Sequence, residues 1–143
     1  MAFLTLPRIN LDTQIPYKDS KTSDIMKLKM KDILAQNGLT LDNFYSCIEE
    51  KFDIDGIACK IVWNGTVGTF CGYITEESFD SRKIKYEPHG GFTAHIGFDC
   101  AHCDDVSLVM GPLLSIRGRT STFKTRQFVY SELKAMIDSI NDV

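Results

Sequence analysis

All three histidines of this 143-residue chain fall between residues 89 and 102, and three aspartates lie in or beside the same segment. A histidine exchanges a proton near neutral pH and a neighbouring aspartate can orient it, so this grouping is typical of acid–base chemistry. The pair Gly90-Gly91 directly follows the first histidine, and glycines let the backbone come close to a ligand. The segment therefore predicts a functional site.

Proton transfer in this site is assigned to two histidines and two aspartates. We predict that His89 and His102 act as general base and general acid. Asp99 and Asp105 are predicted to orient the two imidazoles or to bind a divalent metal ion. Apart from such an ion, no cofactor is expected.

Two other interpretations of the histidines stay open. His89, His95, Cys100 and Cys103 offer two nitrogens and two sulfurs, which is a ligand set for structural zinc. Strand alternation, however, places Cys100 on an apolar face away from His95, so we predict that Cys100 and Cys103 hold no structural zinc. In the second interpretation the histidines only stabilise the fold.

Ligand binding is assigned to residues on both sides of this segment. Gly90 and Gly91 are predicted to contact a ligand through the backbone, and Thr93 to hold a phosphate oxygen. Residues 117 to 126 carry four cations, four hydroxyls and no acid, directly before a predicted helix whose N-terminal amides favour anions. We therefore predict that Arg117 and Arg119 contact phosphates.

Composition narrows the class of protein. The net charge of -3 argues against binding to duplex nucleic acid, because a phosphate backbone needs a basic face. No apolar run approaches the roughly 20 residues that span a bilayer, and the first residues lack the pattern of a signal peptide. We therefore expect a single cytoplasmic domain with reduced cysteines and no membrane contact. A homo-oligomer is left open.

The elements that must position the site predict an α+β fold with an antiparallel sheet, N-terminal helices and a packed C-terminal helix. Residues 92 to 101 read as a strand, with Phe92, Ile96, Phe98 and Cys100 on one apolar face. Residues 57 to 63 and 66 to 75 read as a hairpin turning at Asn64-Gly65, and residues 53 to 56 as a turn. Helices are predicted at residues 23 to 37, stopped by Gly38, at 41 to 52 and at 125 to 140, after an irregular arm or edge strand at 1 to 20.

The site segment also resembles a known group of proteins. His89-Gly90-Gly91-x-Thr93, followed by Gly97-Phe98-Asp99-Cys100-Ala101-His102-x-x-Asp105, is similar to motifs of a family of small, uncharacterised proteins encoded by bacteriophages and prophages. Segments 71 to 74 and 128 to 132 resemble two further motifs of that family, so the resemblance covers roughly residues 57 to 140. It implies a phage origin and the same His and Asp candidates, and it leaves the role of His95 open.

Small accessory phage proteins often disarm host defences, some of them by cutting or holding nucleotide signals. By this analogy, we expect an anti-defence protein of the infected host cytoplasm that binds and hydrolyses a small phosphorylated nucleotide. The alternatives are a non-catalytic sponge for such a nucleotide and a protein-binding inhibitor of a host factor.

Overall fold

The computed structural model describes residues 10–93, 96–102, 104–110 and 121–141. The predicted ligand-binding residues Arg117 and Arg119 and the zinc candidates His95 and Cys103 lie outside these residues. Within the described part, two helices and two sheets form the α+β fold that the sequence predicts. In chain order the elements are β1 (Gln14–Lys18), β2 (Met26–Lys29), α1 (Met30–Gln36), β3 (Cys47–Ile54), β4 (Ile57–Asn64), β5 (Thr69–Ile74), a 3₁₀ turn (Ser81–Lys83), β6 (Gly97–Asp99), β7 (Phe123–Lys124) and α2 (Arg126–Ser139).

The larger sheet is an antiparallel meander in the order β3-β4-β5-β6. The predicted turn before β4 is confirmed, because Asp55 and Gly56 both have positive φ (50° and 80°) in a two-residue loop. The hairpin between β4 and β5 is also confirmed, but its loop has four residues and the positive φ lies at Gly68 rather than at Asn64-Gly65. The Asn64 side chain accepts two amide hydrogen bonds from the loop, and this asparagine turn lengthens the connection.

The smaller sheet has the order β2-β1-β7, with β1 antiparallel to β2 and parallel to β7. The prediction of an arm or edge strand at residues 1 to 20 is therefore wrong for β1, which is central and buries Ile15 and Tyr17. The helix predicted from residue 23 begins only at Met30, because residues 26 to 29 pair with β1. Its predicted stop is confirmed: Gly38 has φ 71°, and the Leu39 N–H reaches back to the Leu34 carbonyl at 2.8 Å.

Two further predictions of secondary structure are wrong. The helix predicted at residues 41 to 52 is absent: residues 47 to 52 belong to β3, whose eight residues all pair with β4, so sheet pairing overrides the local helix preference. Of the strand predicted at residues 92 to 101, only Gly97–Asp99 (β6) is a strand among the described residues, and the Thr93 N–H donates to the Gly97 carbonyl at 2.8 Å. Phe98 and Cys100 are buried as predicted, whereas Phe92 is about half exposed.

Helix α2, which the sequence predicts at residues 125 to 140, covers the inner face of the larger sheet with its apolar side chains. Val129, Leu133, Met136 and Ile137 are buried, and contacts among Trp63, Phe70 and Phe123 join the two sheets. The outer face of the sheet carries partly exposed side chains: Lys60, Val62, Cys71, Tyr73 and Asp99. Neither helix in the described residues has the length and apolar character needed to cross a bilayer.

Candidate functional site

The site lies where the edge of the larger sheet meets the start of α2. Strand β6 ends at Asp99, and a little further along the chain the Asp105 N–H donates to the His102 carbonyl at 2.9 Å. A parallel bridge then pairs Asp105 with Thr122, directly before β7. This bridge brings the aspartate beside Lys124, although about 20 residues separate them in the chain.

His89 enters from the connection between β5 and β6, and α2 holds it there. The buried carboxylate of Glu132 accepts the His89 N–H at 2.9 Å and the Tyr86 hydroxyl at 2.5 Å. Burial and this carboxylate together raise the pKa of Tyr86. The edge of the His89 ring packs on Phe128, with the ring centroids 5.3 Å apart. The backbone and ring of His89 are therefore both fixed by the helix.

Asp105 is the most buried charged group of the site, with 1% of its side chain exposed. His89 Nε2 lies 2.9 Å from both of its carboxylate oxygens, Lys124 Nζ lies 2.9 Å from Oδ1, and the His102 N–H donates to Oδ2 at 2.9 Å. Burial alone would raise the pKa of Asp105, but the hydrogen bond from His89 and the charge of Lys124 outweigh it, so the pKa is lowered. Asp105 is thus held as a carboxylate.

The second histidine forms a more open pair. His102 Nε2 lies 3.1 Å from Asp99 Oδ1, and about a third of each side chain is exposed. The two atoms lie within ion-pair distance, but His102 Nε2 makes no hydrogen bond within the described residues. The His89 and His102 ring centroids are 5.7 Å apart and the rings meet edge to face.

Gly90 explains why the two histidines come this close. Its φ is 71°, and a Cβ at this position would lie 1.9 Å from His102 Nε2, so the ring of His102 lies directly against the Gly90 backbone. Gly91 also has positive φ (81°), but a Cβ there would meet only a Glu87 side-chain oxygen, at 3.4 Å. Of the glycine pair, Gly90 is therefore the one that shapes the site.

The structure brings together His89, Asp99, His102 and Asp105, the four residues assigned to proton transfer. It does not bring Thr93 to them, because Thr93 lines a separate cavity on the outer face of the sheet. A phosphate role for Thr93 at the histidines has no support from this placement.

The described part of the predicted anion-binding segment, residues 121 to 126, makes most of its contacts within the protein. Lys124 is buried, and its ammonium also donates to Thr122 Oγ1 at 2.6 Å. The Arg126 guanidinium forms a two-bond ion pair with Glu50. At the start of α2, the Arg126 N–H donates to Asn37 Oδ1 and the Phe128 N–H to Thr125 Oγ1. The two described cations of the segment, Lys124 and Arg126, are therefore both paired, and the contact of Arg117 and Arg119 with phosphates stays a prediction.

Sequence reasoning missed Lys124 and Glu132 as site residues. Lys124 was counted among the cations of the segment, and its partner Asp105 belongs to a different motif. Glu132 lies one residue from Leu133 on the buried stripe of α2, where an acid is costly unless it is hydrogen-bonded. The sequence signal for Glu132 as a site residue is therefore an acid directly beside the buried apolar side chains of a helix.

Three groups of the site have the spacing of metal ligands. His89 Nε2 and the carboxylates of Asp104 and Asp105 lie within 4.8 Å of one another. An ion there would displace the proton that His89 shares with Asp105 and would lie beside the Lys124 ammonium. The role of a metal stays a prediction, as does the absence of zinc at Cys100 and Cys103. Cys100 is buried, which raises the pKa of its thiol, and the four described cysteines are free thiols.

No family model, curated protein or solved structure matches this chain. The resemblance to bacteriophage and prophage proteins stays a prediction from the motifs. The function is therefore inferred from the side chains of the site.

Proposed function

We propose that this protein binds a small phosphorylated nucleotide and hydrolyses it by acid–base catalysis at the two histidine–aspartate pairs. The observation that carries the proposal is the 5.7 Å between the ring centroids of His89 and His102, each with a carboxylate oxygen about 3 Å from its Nε2. Hydrolysis of a phosphate ester needs one group to accept a proton from water and another to donate one to the leaving oxygen. Two adjacent imidazoles supply both.

The environments of the two histidines assign their roles. Asp105 accepts from His89 Nε2 and stays ionised, so it orients the ring and stabilises the imidazolium that forms when Nδ1 accepts a proton. His89 is therefore the general base. His102 is more exposed than His89 and lies beside the Asp99 carboxylate, so we assign it as the general acid.

The proposed hydrolysis consumes only the nucleotide and one water molecule. The oxygen of a water molecule bonds to phosphorus as His89 takes its proton. The bond from phosphorus to the leaving oxygen breaks as His102 protonates that oxygen. Proton exchange with solvent then restores both imidazoles. With the phage resemblance, we propose that the nucleotide is a signal of host defence.

The experiment incubates the purified protein with a panel of cyclic dinucleotides, cyclic trinucleotides and cyclic ADP-ribose isomers. Chromatography follows each nucleotide before and after heat denaturation of the protein. New products formed by wild type and by Asp53→Asn, an exposed control on β3, but not by His102→Ala, support the proposal.

The other outcomes overturn hydrolysis. Release of the intact nucleotide on heating indicates a sponge. The absence of any interaction with the panel removes the nucleotide as ligand and leaves the protein-binding inhibitor.

A further inference from the structure

A cavity of about 970 Å³ opens on the outer face of the larger sheet, at the ends of β4 and β5. Lys60 and Tyr73 line it from the strands, and the connection between β5 and β6 supplies Glu76, Phe92 and Thr93 among others. Its volume is at the upper end of the range for small-molecule sites. The histidine pairs do not line it, so it is a separate feature of the fold.

Two aromatic rings border this cavity. The Tyr73 ring lies against Gly97, where a Cβ would approach Tyr73 Cδ1 to 2.3 Å, and Lys60 Nζ lies 5.3 Å from the ring centroid. Tyr73 is thus held in place. Phe92 also lines the cavity and is 48% exposed, so its ring is open to a ligand in the cavity. Rings of this kind are stacking platforms for a flat heteroaromatic group.

The polar groups of the cavity point to the chemistry of that group. Thr93 Oγ1 is buried and has no hydrogen-bond partner within the described residues, although buried hydroxyls nearly always have one. Glu76 is held by the Ala58 N–H on one carboxylate oxygen, at 3.2 Å. The Lys60 ammonium is paired with Glu49 at 2.9 Å, so the cavity wall offers acceptors rather than a free cation. Such a wall suits N–H donors and disfavours a phosphate.

We infer that this cavity binds an amino-bearing purine base. The base stacks on Tyr73 and Phe92, its amino group donates to Glu76, and the Thr93 hydroxyl donates to a ring nitrogen. A purine is favoured over a pyrimidine because its larger face covers more of both rings.

The sheet connects this base site to the histidines. Tyr73 of β5 pairs with Gly97 of β6, and Asp99 lies two residues further along β6. Since side chains two residues apart share a face, Tyr73 and Asp99 lie on the same face of the sheet. Two strand residues span about 7 Å. A base in the cavity would direct its sugar and phosphate toward Asp99 and His102. This link, unlike the base site itself, rests on the proposed function.

The test titrates wild type with adenosine and with purine riboside, which lacks only the amino group, by calorimetry and ligand-observed NMR. Neither carries a phosphate, so hydrolysis plays no part. Adenosine is expected to bind about tenfold tighter or more, because a hydrogen bond to a carboxylate is lost with purine riboside.

Three variants locate the site. Phe92→Ala is expected to weaken adenosine binding at least about fivefold through lost stacking. Thr93→Val is expected to weaken it about fivefold while leaving the melting temperature unchanged or higher, because a buried unpaired hydroxyl is removed. Leu41→Ala, an exposed apolar control outside the cavity lining, should bind as wild type does.

Failure of wild type to bind adenosine at millimolar concentration overturns the inference. So does wild-type affinity in both Phe92→Ala and Thr93→Val. Adenosine binding without hydrolysis of any nucleotide keeps the base site and removes the proposed function. Nucleotide hydrolysis with an unchanged KM in Phe92→Ala keeps the proposed function and removes the base site.

Discussion

Asp105 is the residue on which the site depends most. A carboxylate this buried is tolerated because His89, Lys124 and the His102 N–H all donate to it. Removing its charge would leave the Lys124 ammonium, which is itself buried, without a counter-charge. Asp99 differs, because a third of its side chain is exposed and water can replace its partner.

We predict that Asp105→Asn lowers the free energy of unfolding by about 3–5 kcal/mol, the usual effect of breaking a buried ion pair. Asp99→Asn, the matched control, should lower it by less than about 1 kcal/mol. Urea unfolding measures both values. An equal decrease in the free energy of unfolding of the two variants would show that the buried contacts of Asp105 contribute no more to stability than those of Asp99.

The lowered pKa of Asp105 predicts how stability depends on pH. A carboxyl group whose pKa is lower in the folded state contributes stability above its ordinary value of 3.8, and this contribution is lost as pH falls through the folded value. Between pH 6 and pH 2, the urea midpoint of wild type should therefore fall more steeply below about pH 4 than that of Asp105→Asn. Parallel curves for the two proteins would contradict this.

At this scale the sequence predicts part of the site. The four His and Asp residues lie within 17 positions of the chain, so their clustering alone identifies them as site candidates. The partners Lys124 and Glu132 come from β7 and α2, and only the folded topology brings them to His89 and Asp105. The sequence also predicts Thr93 at this site, whereas the structure places it in the separate cavity on the outer face of the sheet.

At the scale of elements, the segment from His89 to Phe92 shows how backbone conformation sets side-chain geometry. Gly90 and Gly91 both have positive φ, so an alanine at either position is strained. Only at Gly90 would a Cβ also collide with the His102 ring.

We predict that Gly90→Ala lowers the free energy of unfolding by more than Gly91→Ala, which should cost about 1–2 kcal/mol from backbone strain alone. Gly90→Ala should also shift the NMR signals of the His102 ring, and Gly91→Ala should leave them near their wild-type positions. Similar His102 signals in both variants would contradict the close contact.

The elements also show where local pattern misleads. Amphipathic spacing correctly predicts α2, because its stripe packs directly on the sheet. The helix predicted at residues 41 to 52 is wrong, because β4 pairs with every residue of β3, which includes residues 47 to 52. A local sequence pattern does not show which distant strand a segment pairs with. The central position of β1 depends on its pairing with β7, near the other end of the described chain, so the sequence does not predict it.

At the scale of the whole molecule, α2 and a cluster of aromatic residues tie the site to the core. Trp63 and Phe70 of the larger sheet contact Phe123 of the smaller one, and Phe123 precedes Lys124 directly. The residue that joins the sheets therefore neighbours the cation of the site.

We predict that Phe123→Ala lowers the free energy of unfolding by about 3–5 kcal/mol, as expected for a large buried side chain. Unfolding followed by Trp63 fluorescence and by the His89 NMR signal should give the same midpoint in wild type, because both report one cooperative core. Separate midpoints would show that the site unfolds independently of the sheets.

The most direct test of the central claim is the rate at which a bound nucleotide is hydrolysed in a single turnover, in wild type and in His102→Ala. The nucleotide is the one of the panel that wild type converts. If His102 donates the proton to the leaving oxygen, the variant should react about 10²–10⁴-fold more slowly while its Kd changes little. A variant that loses affinity but keeps the bound-state rate, or a wild type that binds every nucleotide intact, would contradict the account.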